Sequence, residues 1–128
     1  LGNLRARRDW GYAPEYVIAM WRMLQLPNAE DIVVGTGSDM SVMDFVQVSF
    51  DYVGLDWKQY VEEDARYYRP AEVDSLVADC SYASKVLDWK PEVFGQLLAE
   101  TMVESDLRLL KLPGPDIPVG SLWASETG

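Results

Sequence analysis

Ile32-Val33-Val34-Gly35-Thr36-Gly37 is the stretch on which the fold turns. Three β-branched residues in a row, closed by two glycines around a threonine, predict a short buried strand that leaves into a tight loop. A strand that is apolar at every position belongs inside a parallel sheet, covered on both faces. Its surroundings are helical. Upstream, Pro14 followed by Glu15 opens a helix, because proline suits the first turn and an acid there complements the macrodipole. Val17, Met20, Trp21 and Leu24 then recur at helical spacing up to Pro27. Downstream, Ser41 and Asp44 form a capping box for a second helix with the apolar face Val42, Phe45, Val46, Phe50 and Val53. Gly54 is its expected left-handed terminator, with Leu55 making the accompanying contact.

Further along, residues 56–70 are aromatic and irregular, with Val61 a candidate for a short strand. Leu76-Val77-Ala78 is a second strand candidate, and Asp79 or Ser81 caps a brief helix through Leu87. After Trp89-Lys90-Pro91, a long amphipathic helix runs from about Phe94 to Leu110 on Leu98, Met102 and Leu109. Residues 112–128, rich in Pro, Gly and Ser, are expected to form a flexible tail. Two or three very short strands among four helices do not make a self-sufficient sheet. The expectation is therefore an α/β portion of something larger, mostly helical, with the neighbours of the 32–34 strand lying elsewhere.

The chain has 128 residues, 48% of them hydrophobic, with eleven basic against twenty-one acidic side chains and a formal charge of −10. That length and apolar content suffice for a core, while the acidic surface repels nucleic acid phosphates and anionic membranes. The lone cysteine, Cys80, excludes an internal disulfide, and the lack of any histidine excludes every His-dependent triad. No apolar stretch is long enough to span a bilayer. A cytoplasmic location is the expectation. Leu1-Gly2-Asn3-Leu4 reads like the interior of a protein, which predicts that the chain is a fragment.

Against this acidic background two arginine clusters stand out: Arg7-Arg8-Asp9-Trp10-Gly11, and Tyr68-Arg69-Pro70-Ala71-Glu72-Val73-Asp74. A guanidinium presents a planar fork that matches paired phosphate oxygens, and a carboxylate three residues after Arg69 can accept both hydroxyls of a ribose. Together they suggest a nucleoside diphosphate. The plain alternative is two surface ion-pair networks. Glu62-Glu63-Asp64 offers hard oxygen ligands, but adjacent side chains in an extended segment point to opposite faces, so no metal site is expected. Tyr67 and Tyr68 could stack on a base or merely pack in a loop, and Cys80 reads as a small buried hydrophobe.

Taken in order, these motifs resemble the C-terminal, substrate-binding part of the GDP-mannose 4,6-dehydratases, within the extended short-chain dehydrogenase/reductase family. The likeness runs from Leu1-Gly2-Asn3-Leu4 through Arg8-Asp9-Trp10-Gly11, Met20-Trp21, Thr36-Gly37 and Ser41-Val42, and is densest at Tyr67 to Asp74. It continues in Lys85-Val86-Leu87 and Trp89-Lys90-Pro91 and ends near Asp106-Leu107.

The resemblance implies a sugar-nucleotide-binding C-terminal domain over residues 1–111, with part of the last Rossmann helix and strand at about 12–37, and the N-terminal Rossmann core absent. Arg8 matches the arginine of the Arg-Asp-Trp motif and Arg69 that of the Arg-Pro-x-Glu motif, both expected on the GDP diphosphate. Glu72 is expected on the ribose. Arg7 stands where lysine is usual and is also placed at the substrate. Departures are Arg5 for an acid, Met40 for histidine, Met43 for arginine, and Phe94-Gly95 in place of the usual Ser-Phe order.

In such enzymes NADP sits on the N-terminal half. Here Gly35-Thr36-Gly37 lacks the third glycine of a dinucleotide fingerprint, and neither Tyr12 nor Tyr16 has a lysine four residues on. The implied Thr, Glu, Tyr and Lys catalytic set lies upstream of Leu1. The resemblance thus implies NADP for the full-length enzyme and none for this chain alone, which should be catalytically silent. The rival expectations are a free-standing remnant that binds a nucleotide sugar or another protein, and part of another nucleotide-sugar dehydratase or epimerase. The partners expected are GDP-mannose or GDP, and either a second copy of the chain or the missing NADP-binding half.

Overall fold

The computed structural model describes residues 1–68, 73 and 75–112. Among them, in chain order, lie strand β1 (Arg7–Arg8), helix α1 (Ala13–Met23), strand β2 (Met40–Ser41), helix α2 (Val42–Tyr52), 3-10 turns at Trp57–Gln59 and Ala65–Tyr67, strand β3 (Ser75–Leu76), and helices α3 (Ser81–Leu87) and α4 (Gly95–Leu110). The sheet has the order β2-β1-β3, with β1 antiparallel to β2 and parallel to β3. The tail expected over residues 112–128 falls outside the described residues from 113 onward.

Local chemistry accounts for the helix ends. Proline opens α1 with Glu15 in its first turn. Both bonds of the capping box on α2 are made: Asp44 N–H donates to Ser41 Oγ at 3.0 Å and Ser41 N–H to Asp44 Oδ2 at 3.3 Å. At the far end Gly54 takes a φ of +70°, and Leu55 N–H and Gly54 N–H donate back to the Phe50 and Asp51 carbonyls, which closes a Schellman motif. Ser81 N–H is met by Asp79 Oδ1 at 3.0 Å as α3 begins, and α3 closes on Asp88 in the left-handed region. Among its described residues, 56–68, the aromatic segment contains turns only, and Val61 lies between them outside any strand.

The core is small. Ala19 of α1 packs with Ala83 and Leu87 of α3 and with Trp89, and Tyr16, Met23, Ile32, Val34 and Val86 close around them. Trp89 meets Tyr16 edge-on at 5.6 Å, and its indole N–H donates to the Glu15 carbonyl at 2.8 Å. Arg22 Nη1 donates to the Leu87 carbonyl at 2.9 Å and to the Asp88 carbonyl, which caps α3 from α1. A second layer forms where α2 crosses α4, with Trp10 edge-on to Phe45 at 4.5 Å and Tyr52 Oη donating to Glu104 at 3.2 Å.

One reading of the sequence changes here. Ile32 and Val34 do pack inward, but Val33 is 60% exposed and the segment pairs with no strand among the described residues. Without a neighbour to supply a ladder and cover the second face, three β-branched residues form a one-sided extended segment. The apolar set of α1 keeps its helical spacing but faces outward: Val17, Met20, Trp21 and Leu24 all lie 55–81% exposed, while the small Ala19 and the flanking Tyr16 and Met23 face the core. Likewise only Leu98 of the α4 stripe is buried, with Met102 and Leu109 turned largely to solvent.

Candidate functional site

The sheet is what joins the two arginine clusters. Because β1 runs beside β3, the segment that follows Glu72 is delivered alongside Arg7 and Arg8, with Arg7 in register with Ser75 and Arg8 with Leu76. Arg8 Nη1 donates to the Arg7 carbonyl at 2.6 Å and, 65 residues away, to the Val73 carbonyl at 2.7 Å. Arg69 and Glu72 themselves lie outside the described residues. Arg8 also lines a cavity of about 210 Å³ with Gly2, Asn3, Ala6, Val42 and Tyr67. A site of this kind has a cation at one wall and an aromatic ring at another, which suits a phosphorylated, ring-bearing ligand.

Arg7 is placed differently. Its fork closes on Asp39, Nε to Oδ2 at 2.7 Å and Nη2 to Oδ1 at 3.1 Å, and Asp39 Oδ2 also accepts from the Ser75 hydroxyl at 3.0 Å. Hydrogen bonds from Arg7 and Ser75 hold the Asp39 carboxyl below the usual carboxylate range, and the same pairing raises Arg7. Opposite Arg8, in register across β2, stands Met40, and Met43 lies in the first turn of α2. Neither thioether brings charge to the site.

Asp9, next in the chain, was not legible as a site residue. Its two oxygens gather Thr36 N–H at 2.9 Å, the Thr36 hydroxyl at 2.6 Å, Gly37 N–H at 3.0 Å and Ala78 N–H at 3.1 Å. Burial pushes this carboxyl up, but the hydrogen bonds from Thr36, Ala78 and Gly37 outweigh it, and the net effect is a value below the ordinary one. The Gly35-Thr36-Gly37 loop thus already holds an anion of its own. A Cβ on Gly35 would lie 2.3 Å from the Ala78 Cβ and 3.0 Å from Asp9 Oδ2, so only glycine lets the loop come this close. Burial, then the Asp9 charge, push the Cys80 thiol up, so the thiol form is favoured. The only sequence signal for this knot was an acid directly after Arg8 and a Gly-Thr-Gly loop, 27 residues apart.

Glu63 Oε1 accepts from Leu4 N–H and from the Tyr68 hydroxyl, each at 3.2 Å, while Asp64 pairs with Arg66 at 2.6 Å. Tyr67 is 65% exposed at the mouth of the Arg8 cavity. A larger cleft of about 500 Å³ between α2 and α4 is lined by Trp10, Tyr16, Phe45, Leu98 and Met102. Among the described residues Asp9 is its one charged lining residue, and a carboxylate repels a phosphate.

Comparison with known proteins fits this geometry. Residues 1–102 match the family described as GDP-mannose 4,6 dehydratase. GDP-mannose 4,6 dehydratase 2 of Arabidopsis thaliana is 55% identical over 111 residues, which cover 87% of this chain and 30% of that protein. The Homo sapiens GDP-mannose 4,6 dehydratase is 43% identical over 128 residues, covering 87% of this chain and 34% of its own length. The chain therefore spans about a third of the relatives it matches. Among solved structures, UDP-glucose 4-epimerase of Thermotoga maritima with UDP-glucose superposes with a TM-score of 0.71 at 23% identity, over 86% of this chain and 34% of that one. RMD of Pseudomonas aeruginosa, complexed with NADPH, gives 0.67 at 17% identity, over 81% and 34%.

Proposed function

The chain belongs to the GDP-mannose 4,6 dehydratase family, with the fold of an extended short-chain dehydrogenase/reductase, and on that premise we propose that it is the part that grips the nucleotide sugar. In this reading Arg8 and Arg69 neutralise the diphosphate of GDP-mannose and Glu72 accepts the ribose hydroxyls. The whole enzyme, located in the cytoplasm, converts GDP-mannose to GDP-4-keto-6-deoxymannose with NADP. The observation that carries the reading is the bond from Arg8 to Val73, which ties the first arginine cluster to the chain one residue beyond Glu72. In this reading NADP finds no cradle in the Gly-Thr-Gly loop, whose Thr36 and Gly37 amides already bond Asp9.

Calorimetric titration with GDP and with GDP-mannose tests the proposal. The chain is expected to bind both weakly, and Arg69→Ala to weaken binding by about 2 kcal/mol, roughly thirtyfold, the scale of a lost charge-assisted bond. Equal affinity in Arg69→Ala would remove that residue from the site. A preference for a uridine over a guanosine nucleotide sugar would transfer the chain to an epimerase-like role.

The exposed face of α1 supports a second element of the proposal. Val17, Met20, Trp21 and Leu24 make an apolar stripe larger than a solvated helix normally shows. In the whole enzyme the NADP-binding half covers it, and the isolated chain covers it with a second copy. Sedimentation at low micromolar concentration is expected to show a dimer or larger species, and Trp21→Lys with Leu24→Lys a monomer. A wild-type monomer with a cooperative melt would end this part of the reading.

A further inference from the structure

Three strands of two residues each carry very few ladder bonds, so something besides the ladder must hold β3 in register. Arg8 contributes through Val73 and Asp9 through Ala78, and Arg7 with Asp39 adds a third link. The Arg7 fork is bidentate on Asp39, its Nη2 also reaches the Asp39 carbonyl at 3.3 Å, and Asp39 in turn accepts from Ser75 on β3. Arg7 sits on the central strand, Asp39 directly precedes β2, and Ser75 opens β3. One carboxylate, on the residue before β2, therefore bridges β1 and β3. On the far side, Arg7 Nη1 lies 3.9 Å from Asp44, which itself completes the cap of α2.

A guanidinium held this way has its Nε and Nη2 donors directed at protein oxygens. A phosphate competing for them would have to displace a charge-assisted pair at 2.7 Å. We propose that Arg7, with Asp39 and Ser75, is a positioning group for the nucleotide site, fixing β3 and with it Val73 beside Arg8, without itself binding phosphate. This inference rests on the proposed function for its ligand, but the positioning of β3 stands on the geometry alone. The pair is exposed, with 44% of the Arg7 side chain open to solvent, so its loss is expected to leave global stability nearly unchanged. Its effect falls on the register of a two-residue strand.

Two measurements on the full chain separate positioning from direct contact. By hydrogen exchange, Arg7→Gln and Arg7→Lys are both expected to speed exchange of the Leu76 and Asp9 amides about tenfold, with the melting temperature nearly unmoved. By GDP titration, each should weaken binding about fivefold. Lysine restores a point charge but not a bidentate fork, so it would rescue a direct phosphate contact and cannot rescue a clamp on Asp39. In a double-mutant cycle, Arg7→Gln combined with Asp39→Asn is expected to bind GDP as Asp39→Asn does alone. Rescue by lysine, additive losses, or unchanged exchange at Leu76 would each overturn the proposal. If the wild-type chain binds no GDP at all, the proposed function fails, and exchange at Leu76 still decides whether Arg7 holds β3.

Discussion

Asp9→Asn is expected to lower the stability of the chain by on the order of 3 kcal/mol, about 10 °C in melting temperature, although it changes one oxygen to one nitrogen. The carboxylate accepts from Thr36, Gly37 and Ala78, and so ties the glycine loop to the chain just after β3. An amide keeps one acceptor and aims its NH2 at backbone N–H groups, so at least one partly buried donor loses its partner. The pH dependence carries a separate signature. The folded carboxyl lies below its ordinary value, so its contribution is complete above an unfolded pKa of about 4 and is lost as pH falls through the folded value. Asn removes that acid limb. Thermal melts between about pH 3 and 7 check both points, and matching curves for the two proteins would show that the loop is held by something other than Asp9.

Trp89→Ala is expected to cost more, about 4 kcal/mol, because the largest ring leaves a buried cluster whose other members are two alanines and Leu87. Trp89 is 4% exposed, and its immediate neighbours Ala19 and Ala83 have no side chain with which to refill the space. The indole N–H also satisfies the Glu15 carbonyl, and Glu15 itself accepts from the Glu92 and Val93 amides at 3.0 and 3.2 Å. Since small domains are stable by only about 5–15 kcal/mol, this one change should bring the chain close to its unfolding transition. Trp89→Phe keeps most of the volume and loses only the donor, for which about 1–2 kcal/mol is expected. Denaturant titration of the three proteins checks the order. A Phe variant as unstable as the Ala variant would place the energy in the hydrogen bond rather than in the packing.

What the sequence made legible was local. The capping box at Ser41 and Asp44, the glycine stop at Gly54, the proline start of α1 and the spans of α3 and α4 follow from interactions within a few residues, and each stands in the structure. Burial was not legible, because it depends on what packs from outside the element. The α1 stripe has helical period, yet its large residues face solvent and Ala19 faces the core, since period alone does not say which face meets a neighbour. At the candidate site, motif chemistry names Arg8 as a substrate residue, and its bond to Val73 is what the structure adds. The partners of Arg7 and Asp9 were not legible, as Asp39 and Thr36 lie 32 and 27 residues away and no spacing rule links them.

The bond from Trp89 to Glu15 spans 74 residues, and the cap that Arg22 places on α3 spans 65. During synthesis α1 therefore leaves the ribosome well before the residues that complete its core exist. At roughly 5–20 residues per second this interval lasts several seconds, long compared with the microseconds in which a helix forms. Throughout it, Trp21, Met20 and Leu24 stay open on one side and the Ala19 face on the other. The nascent segment is thus a ready client for a holding chaperone, and synthesis slowed between Leu24 and Trp89 should lower the yield of folded chain, whereas the same slowing after Leu98 should not.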